Sequence, residues 1–315
     1  MSQPPLIFIV GPTASGKSAL ALSLAEALQG EIISADSRQL YCKMDIGTAK
    51  PSREELARVP HHIIDIRNPD ESFSAGEFSR QAQNIIAEKM AAGIPIIVCG
   101  GSGLYIQALL GMIFKKSATD PDIRREVEKL GIERGWDKLW LEWCNKDSSA
   151  LKVSPNDIKR ISRAWEIFRM TGAFPGAHFK AQDYTFPWEY LSFGLSPDRD
   201  TLLRRIAART ELMLLEGLIG EVESLLAAGY LPELNAMNSV GYKETIAFLK
   251  GEISRAELTE QILIHTRQFA KRQKTWFRKY APQQWLEYEN YLPMDKFLRY
   301  IFQVMDDAMF KNKRE

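Results

Sequence analysis

The chain has 315 residues, 45% of them hydrophobic and 26% charged, and its 41 Lys and Arg against 40 Asp and Glu leave a net charge of +1. These values are ordinary for a soluble globular protein of about two domains, and the balanced charge leaves the question of a nucleic-acid partner to local patterns. No apolar run approaches a membrane span, the three cysteines (Cys42, Cys99, Cys144) are widely spaced, and the four histidines (His61, His62, His178, His265) form no metal-ligand pattern. Membrane-spanning, disulfide-scaffold and zinc classes are therefore set aside. The N-terminus runs straight into the first predicted strand, which leaves no room for a signal peptide, so a cytoplasmic location is expected.

Residues 6–10 (LIFIV) are apolar and rich in β-branched types, and read as a buried strand. Gly11-Pro12-Thr13-Ala14-Ser15-Gly16-Lys17-Ser18 follows, the G-x-x-x-x-G-K-S pattern of a phosphate-binding loop, and then a run of strong helix formers. Loop amides and the helix N-terminus attract anions, Lys17 adds a full charge, and the Ser18 hydroxyl can ligate Mg²⁺. Such a site takes a diphosphate or triphosphate; the loop alone does not decide what happens to it. Ile32 and Ile33 read as a short second strand, with Asp36 just past its carboxyl end, where open parallel sheets bind ligands. An N-capping or turn role for Asp36 fits as well. Residues 44–51 read as a loop closed by Pro51, 62–66 as a third strand, and 74–91 as a helix with Phe78, Ala82, Ile85, Ile86 and Met90 on one face. A fourth strand at 95–99 leads into a second glycine-rich turn, Gly100-Gly101-Ser102-Gly103, where Ser102 suits either a site or an N-cap. The β-α alternation predicts an α/β fold with a parallel, doubly wound sheet.

The character changes at residue 117. Residues 117–187 carry no convincing buried strand and read as a helical insertion, leaving 1–116 and 188–315 as the core. Within the insertion, a helix after Pro155-Asn156 bears Lys159, Arg160 and Arg163 on neighbouring turns, a basic face or a solvated one. Residues 190–196 read as a strand returning to the main sheet. Arg205 and Arg209 follow at i, i+4, a spacing that clamps a phosphate or pairs with Glu211 and Glu216. The segment 265–280 has six Lys or Arg, no acidic residue and interleaved aromatics. On a helix, Arg267, Lys271, Lys274 and Arg278 share a stripe, the electrostatic footprint of a nucleic-acid binder, although a solvated face has the same composition.

Taken together, several segments resemble one family, the bacterial tRNA dimethylallyltransferases (tRNA isopentenyltransferases): the phosphate loop, Asp36-Ser37-Arg38-Gln39-Leu40-Tyr41, residues 44–51, residues 61–65, residues 100–105, residues 155–166, Val240-Gly241-Tyr242-Lys243 and residues 266–278. They occur in family order over nearly the whole chain. Ser102 replaces a common threonine and keeps the hydroxyl; Trp165 stands where leucine is usual, a matter of local packing.

The resemblance implies a nucleotide-kinase-like core and an insertion that grips the anticodon arm. It implies transfer of a dimethylallyl group from dimethylallyl diphosphate to the exocyclic amine of adenosine 37 of tRNA, with Mg²⁺ required and diphosphate leaving. The implied catalytic residues are Asp36, Lys17 and Thr13. The diphosphate would lie on Gly11 to Ser18 with Arg205 and Arg209, and Ser18 would ligate the metal. Implied tRNA contacts are Asp36, Ser37, Arg38, Gln39, Ser102, Arg124, Arg160, Ile161, Ser162, Arg163, Ala164, Gly241, Tyr242, Lys243, Arg267, Gln268, Lys271 and Arg272. The target base would be flipped into the site, no membrane is involved, and a monomer is expected. A small-molecule kinase would use the same loop and Asp36 but has no need of the basic helix or the insertion. A nucleotide-switched RNA binder would need an Asp at the end of the fourth strand, which lacks one.

Overall fold

The computed structural model describes residues 4–112, 120–180, 185–280 and 282–311. The chain falls into two compact units, Met1–Ile106 with Trp188–Glu315, and Gln107–Pro187. The boundary expected between residues 116 and 117 lies outside the described residues.

The elements run β1 (Leu6–Val10), α1 (Lys17–Leu28), β2 (Glu31–Ser34), α2 (Arg53–Arg58), β3 (His61–His62), α3 (Ala75–Ala91), β4 (Ile96–Gly100) and α4 (Gly103–Leu109). After α5 (Pro121–Arg134), α6 (Trp136–Lys146), a short 3₁₀ turn, α7 (Ile158–Thr171) and α8 (Pro175–Lys180), the chain resumes with β5 (Leu191–Pro197), α9 (Arg199–Leu215), α10 (Leu218–Ala227), α11 (Tyr242–Leu249), α12 (Arg255–Lys279), β6 (Gln284–Tyr288) and α13 (Met294–Lys311). The six strands form one parallel sheet in the order β3-β2-β4-β1-β5-β6. β1 lies between β4 and β5, and its five residues are all buried, as a continuous apolar run implies for a strand covered on both faces. Ile7 and Ile9 join the core cluster with Leu20 and Leu24 of α1 and Phe297 and Ile301 of α13, while Phe8 contacts the ring of Tyr190.

Two expectations about the sheet change. The third strand covers only His61–His62, not 62–66. Ile63 and Asp65 take positive φ values of 62° and 54°, a conformation in which a ladder cannot continue. The segment instead folds under residues 39–41, with Asp65, Ile66 and Arg67 donating to the carbonyls of Gln39 and Leu40. The sixth strand was not expected, although Gln284-Trp285-Leu286-Glu287-Tyr288 alternates, with Leu286 and Tyr288 buried and Glu287 exposed.

The second unit is all helix among the described residues. Val127, Leu139, Trp143, Ile161, Ala164, Trp165 and Phe174 make its core, with the indole of Trp165 donating to the Leu139 carbonyl. None of the described helices is long and apolar enough to cross a membrane.

Candidate active site

The phosphate-binding loop joins β1 to α1. Gly16 sits at φ 80°, which a residue with a Cβ adopts only at a cost, and Ala14 does so at φ 62°. The loop is held from outside: Tyr288 donates its hydroxyl to the Ser15 carbonyl (2.9 Å), Arg205 Nε donates to the Ala14 carbonyl (2.7 Å), and Arg209 Nη1 donates to Thr13 Oγ1 (2.9 Å). The arginine pair of α9 is thus turned onto the loop, not toward Glu211 and Glu216. Lys17 is buried at the start of α1, its Nζ donating to the Pro12 carbonyl at 3.4 Å. Burial lowers its pKa, while the Asp36 carboxylate pulls it back up. Burial likewise lowers that of Arg209, again opposed by Asp36. The Ser15 hydroxyl is buried with no partner among the described residues.

A cavity of about 640 Å³ opens at this loop, lined by Lys17, Ser18, Asp36, Cys99, Arg205 and Arg209 among others. Lys17, Arg205 and Arg209 therefore share one chamber with the Asp36 carboxylate, and Lys50 and Glu55 line it as well, a charge pattern that suits a polyanion beside a proton acceptor. Burial pushes the Cys99 thiol up to about 11, so it is neutral at physiological pH.

Asp36 makes a turn and also lines the cavity: its Oδ1 accepts the Arg38 N–H (2.9 Å). Its neighbours are fixed. The Ala35 N–H donates to the Cys99 carbonyl (2.7 Å), and Ser102 Oγ accepts the Ser37 N–H (2.9 Å) and donates to Ser37 Oγ (3.2 Å). Ser102 therefore ties the two turns at the sheet's carboxyl edge together.

Other expected RNA contacts have structural occupations. The Gln39 amide is used within the protein: Oε1 accepts from Ser34 Oγ, and Nε2 donates to the Ala49 carbonyl (2.9 Å), which fixes the cavity-lining segment 48–51. Arg38 donates to the Asn235 carbonyl. Tyr242 is fully buried, its hydroxyl donating to Glu221 Oε1 (2.6 Å); its side chain is a support, not a surface contact. Gly241, at φ 98°, donates its N–H to Glu244, and Lys243 lies 3.6 Å from the same carboxylate. In the helical unit, Ile161 and Ala164 point into the core, which removes their side chains from the expected contact set. Ser162 is half-buried, and Arg160 is exposed beside Asp157. Arg124 and Arg163 flank the buried Glu166, at 3.8 and 2.5 Å, so one carboxylate holds two guanidinium groups together.

On α12, Arg267, Gln268, Lys271, Arg272 and Arg278 are exposed and Lys274 is half-buried. None of these cations is in an ion pair with a described residue. Arg272 stacks over the Phe269 ring. The helix thus presents uncompensated positive charge, as phosphate binding requires.

Two residues that hold segments adjoining the site carry no motif that marks them in the sequence. Glu221 accepts the backbone N–H groups of Asp45, Ile46 and Gly47 as well as the Tyr242 hydroxyl. Gln273, on the buried face of α12, bonds Thr13 and Gly101. An acidic residue on an amphipathic helix and a lone Gln in a basic run give no local signal of such long-range bonds.

A parallel sheet whose first strand turns through a glycine-rich, cation-lined loop into a helix defines a phosphate-binding α/β protein; the added helical unit and basic helix set it apart from a simple nucleotide binder. The family described as IPP transferase matches residues 39–280, and the chain belongs to it. A tRNA dimethylallyltransferase of Geobacter sulfurreducens is 45% identical over 291 residues, covering 91% of this chain and 93% of that one. One of Geotalea uraniireducens is 46% identical, covering 90% and 92%. The crystal structure of the full-length tRNA isopentenylpyrophosphate transferase of Bacillus halodurans, 34% identical, superposes with a TM-score of 0.73 over 99% of both chains. A eukaryotic dimethylallyltransferase solved while acting on tRNA, 27% identical, gives 0.76 over 90% of this chain and 74% of that one.

Proposed function

We propose that this chain transfers the dimethylallyl group of dimethylallyl diphosphate to the exocyclic amine of adenosine 37 in the anticodon arm of tRNA, giving N6-(dimethylallyl)adenosine and diphosphate. The observation that carries this reading is the single cavity in which Asp36 faces Lys17, Arg205 and Arg209, on a chain that belongs to the IPP transferase family. The donor's diphosphate lies on residues 11–18. The amine nitrogen attacks the allylic carbon, the carbon–oxygen bond to diphosphate breaks, and the amine proton goes to the Asp36 carboxylate. Negative charge grows on the leaving diphosphate, and Lys17, the two arginines and the loop amides stand where they stabilise it. Thr13, with its hydroxyl engaged by Arg209, positions the donor at the entrance of the loop.

Mg²⁺ fits the donor set. Ser18 is exposed on the first turn of α1 and lines the same cavity as the Asp36 carboxylate, both oxygen donors of the hard kind this ion prefers. Among the described residues no group of three carboxylate, His or Cys side chains could hold a metal. Ser18 would therefore share the ion with the diphosphate and water, as is usual for Mg²⁺. Bound there, the ion supplies charge neutralisation at the leaving group. The cationic face of α12 binds RNA phosphates, the helical unit grips the anticodon arm through Arg124, Arg160 and Arg163, and Ser37 and Ser102 border the flipped base. The enzyme works as a monomer in the cytoplasm, where tRNA is found.

Incubating the protein with tRNA, dimethylallyl diphosphate and Mg²⁺, then weighing the nucleosides, tests this reading. A five-carbon mass increase on adenosine supports it. Phosphorylation of a small molecule by ATP with no change in tRNA would replace it with a kinase.

A further inference from the structure

The buried face of α12 holds one polar side chain at the phosphate-binding loop. Gln273 is 7% exposed; its Oε1 accepts the Thr13 N–H at 2.7 Å and its Nε2 donates to the Gly101 carbonyl at 3.0 Å. The hydroxyl of Thr13 is already held by Arg209. Thr13, itself 8% exposed, is therefore fixed at its backbone by α12 and at its side chain by α9. An amide is the side-chain end that offers a donor and an acceptor at this reach; a carboxylate has no donor for Gly101, and an ammonium has no acceptor for Thr13. The fit is reciprocal. A Cβ on Gly101 would overlap Gln273 Nε2, and a Cβ on Gly103 would overlap the Trp276 indole one turn further along α12. Gly101 has no positive φ, so its lack of a side chain serves this approach and not a backbone turn.

We infer that Gln273 is a positioning residue of the donor site, through which the helix that carries the cationic outer face also sets the geometry of the phosphate-binding loop at Thr13. The inference deepens the proposed function and rests on its assignment of the diphosphate to this loop. Losing Gln273 leaves the Thr13 N–H and the Gly101 carbonyl buried without partners and lets the loop entrance relax. It removes no charge from α12, so RNA binding has no electrostatic reason to change.

The test uses the full chain and inorganic diphosphate as the probe, with Lys17→Ala as a reference. Gln273→Met keeps the side chain's bulk without its hydrogen bonds. It should weaken diphosphate binding, and lower kcat/KM for the donor, on the order of tenfold to a hundredfold. The KM for tRNA and its salt dependence should stay within about twofold. Gln273→Glu keeps the acceptor for Thr13 but sets an oxygen against Gly101, and should not rescue the donor site. Gly101→Ala should reproduce the defect with Gln273 intact. The double variant Gly101→Ala, Gln273→Met should be no worse than either single change, since both remove one interaction. If Gln273→Met does not fold, judged by its melting transition, Gly101→Ala carries the test.

Two results overturn the inference. One is diphosphate binding by Gln273→Met within twofold of wild type while Lys17→Ala abolishes it. The other is an equal loss of donor and tRNA parameters. Diphosphate binding by the wild type that is indifferent to Lys17→Ala is a separate outcome; it overturns the donor-site assignment and the inference with it.

Discussion

Asp36→Asn separates chemistry from structure at one position. Asp36 does two things: its Oδ1 accepts the Arg38 N–H, and its carboxylate faces the cavity that holds Lys17. Asparagine keeps an oxygen for the turn, so stability should fall by less than about 1 kcal/mol, the scale of losing such a cap. It cannot take up the amine proton. An adenine amine is a poor nucleophile, its lone pair delocalised into the ring, and a positioned general base is worth about 10²–10⁴ in rate, or about 3 to 5.5 kcal/mol of barrier. Single-turnover prenyl transfer should slow by that factor. A second effect follows from charge. Burial lowers the Lys17 pKa and the Asp36 carboxylate partly restores it, so removing that carboxylate makes Lys17 lose its proton at lower pH. Diphosphate binding needs the charged ammonium, so the alkaline loss of affinity should begin at lower pH in the Asn variant than in wild type. The assay is a rapid-quench single turnover with excess enzyme, paired with diphosphate titration across pH. A single-turnover rate within about threefold of wild type, with the melting temperature lowered instead, would refute the assignment of Asp36 as base and leave it as a turn residue.

Lys17→Ala should weaken diphosphate binding and reduce turnover by about 10²–10³, with tRNA affinity retained in a filter-binding assay; survival of both would place the diphosphate elsewhere. Replacing Arg267, Lys271 and Lys274 together by alanine should weaken tRNA binding and flatten its dependence on salt, by about one unit of slope for each phosphate no longer neutralised, while diphosphate binding stays as it was; an unchanged slope would mark the stripe as a solvated face. Glu221→Ala strips the acceptor from three backbone N–H groups and the Tyr242 hydroxyl, and should cost about 1–3 kcal/mol in chemical denaturation, with hydrogen exchange rising at residues 45–47. Glu221→Gln, which still accepts, should recover part of that, and no change in either variant would show the loop to be held by other contacts.

What could be read from the sequence was local. The strand, loop and helix around Gly16 follow from an apolar run, two glycines and a string of helix formers, and each neighbour in the chain supports the next. The fourth and fifth strands were legible for the same reason. The third strand is shorter than its letters suggest because Ile63 and Ile64 have the composition of a strand, whereas the positive φ at Ile63 and Asp65 is imposed by contacts with residues 39 and 40. Burial of Ile161, Ala164 and Tyr242 could not be told from a binding motif that happens to contain them, since an amphipathic helix shows both faces in one string of letters. Gln39 reads as a polar loop residue free to meet a base, yet Ser34 and Ala49 use its amide. The bonds of Gln273 to Thr13 and Gly101 span 260 and 172 residues, distances over which pattern and propensity say nothing.

The measurement that bears most directly on the proposed reaction is a paired one. Wild-type protein is incubated with a single purified tRNA, dimethylallyl diphosphate and Mg²⁺; released diphosphate is counted, and the tRNA is cut and mapped by mass spectrometry. The proposed reaction gives one diphosphate for each five-carbon addition, all of it on adenosine 37, with both signals lost together in Lys17→Ala. Prenylation at another nucleotide, release of diphosphate without modified adenosine, or a Lys17→Ala variant that still modifies adenosine 37 at the wild-type rate would contradict it.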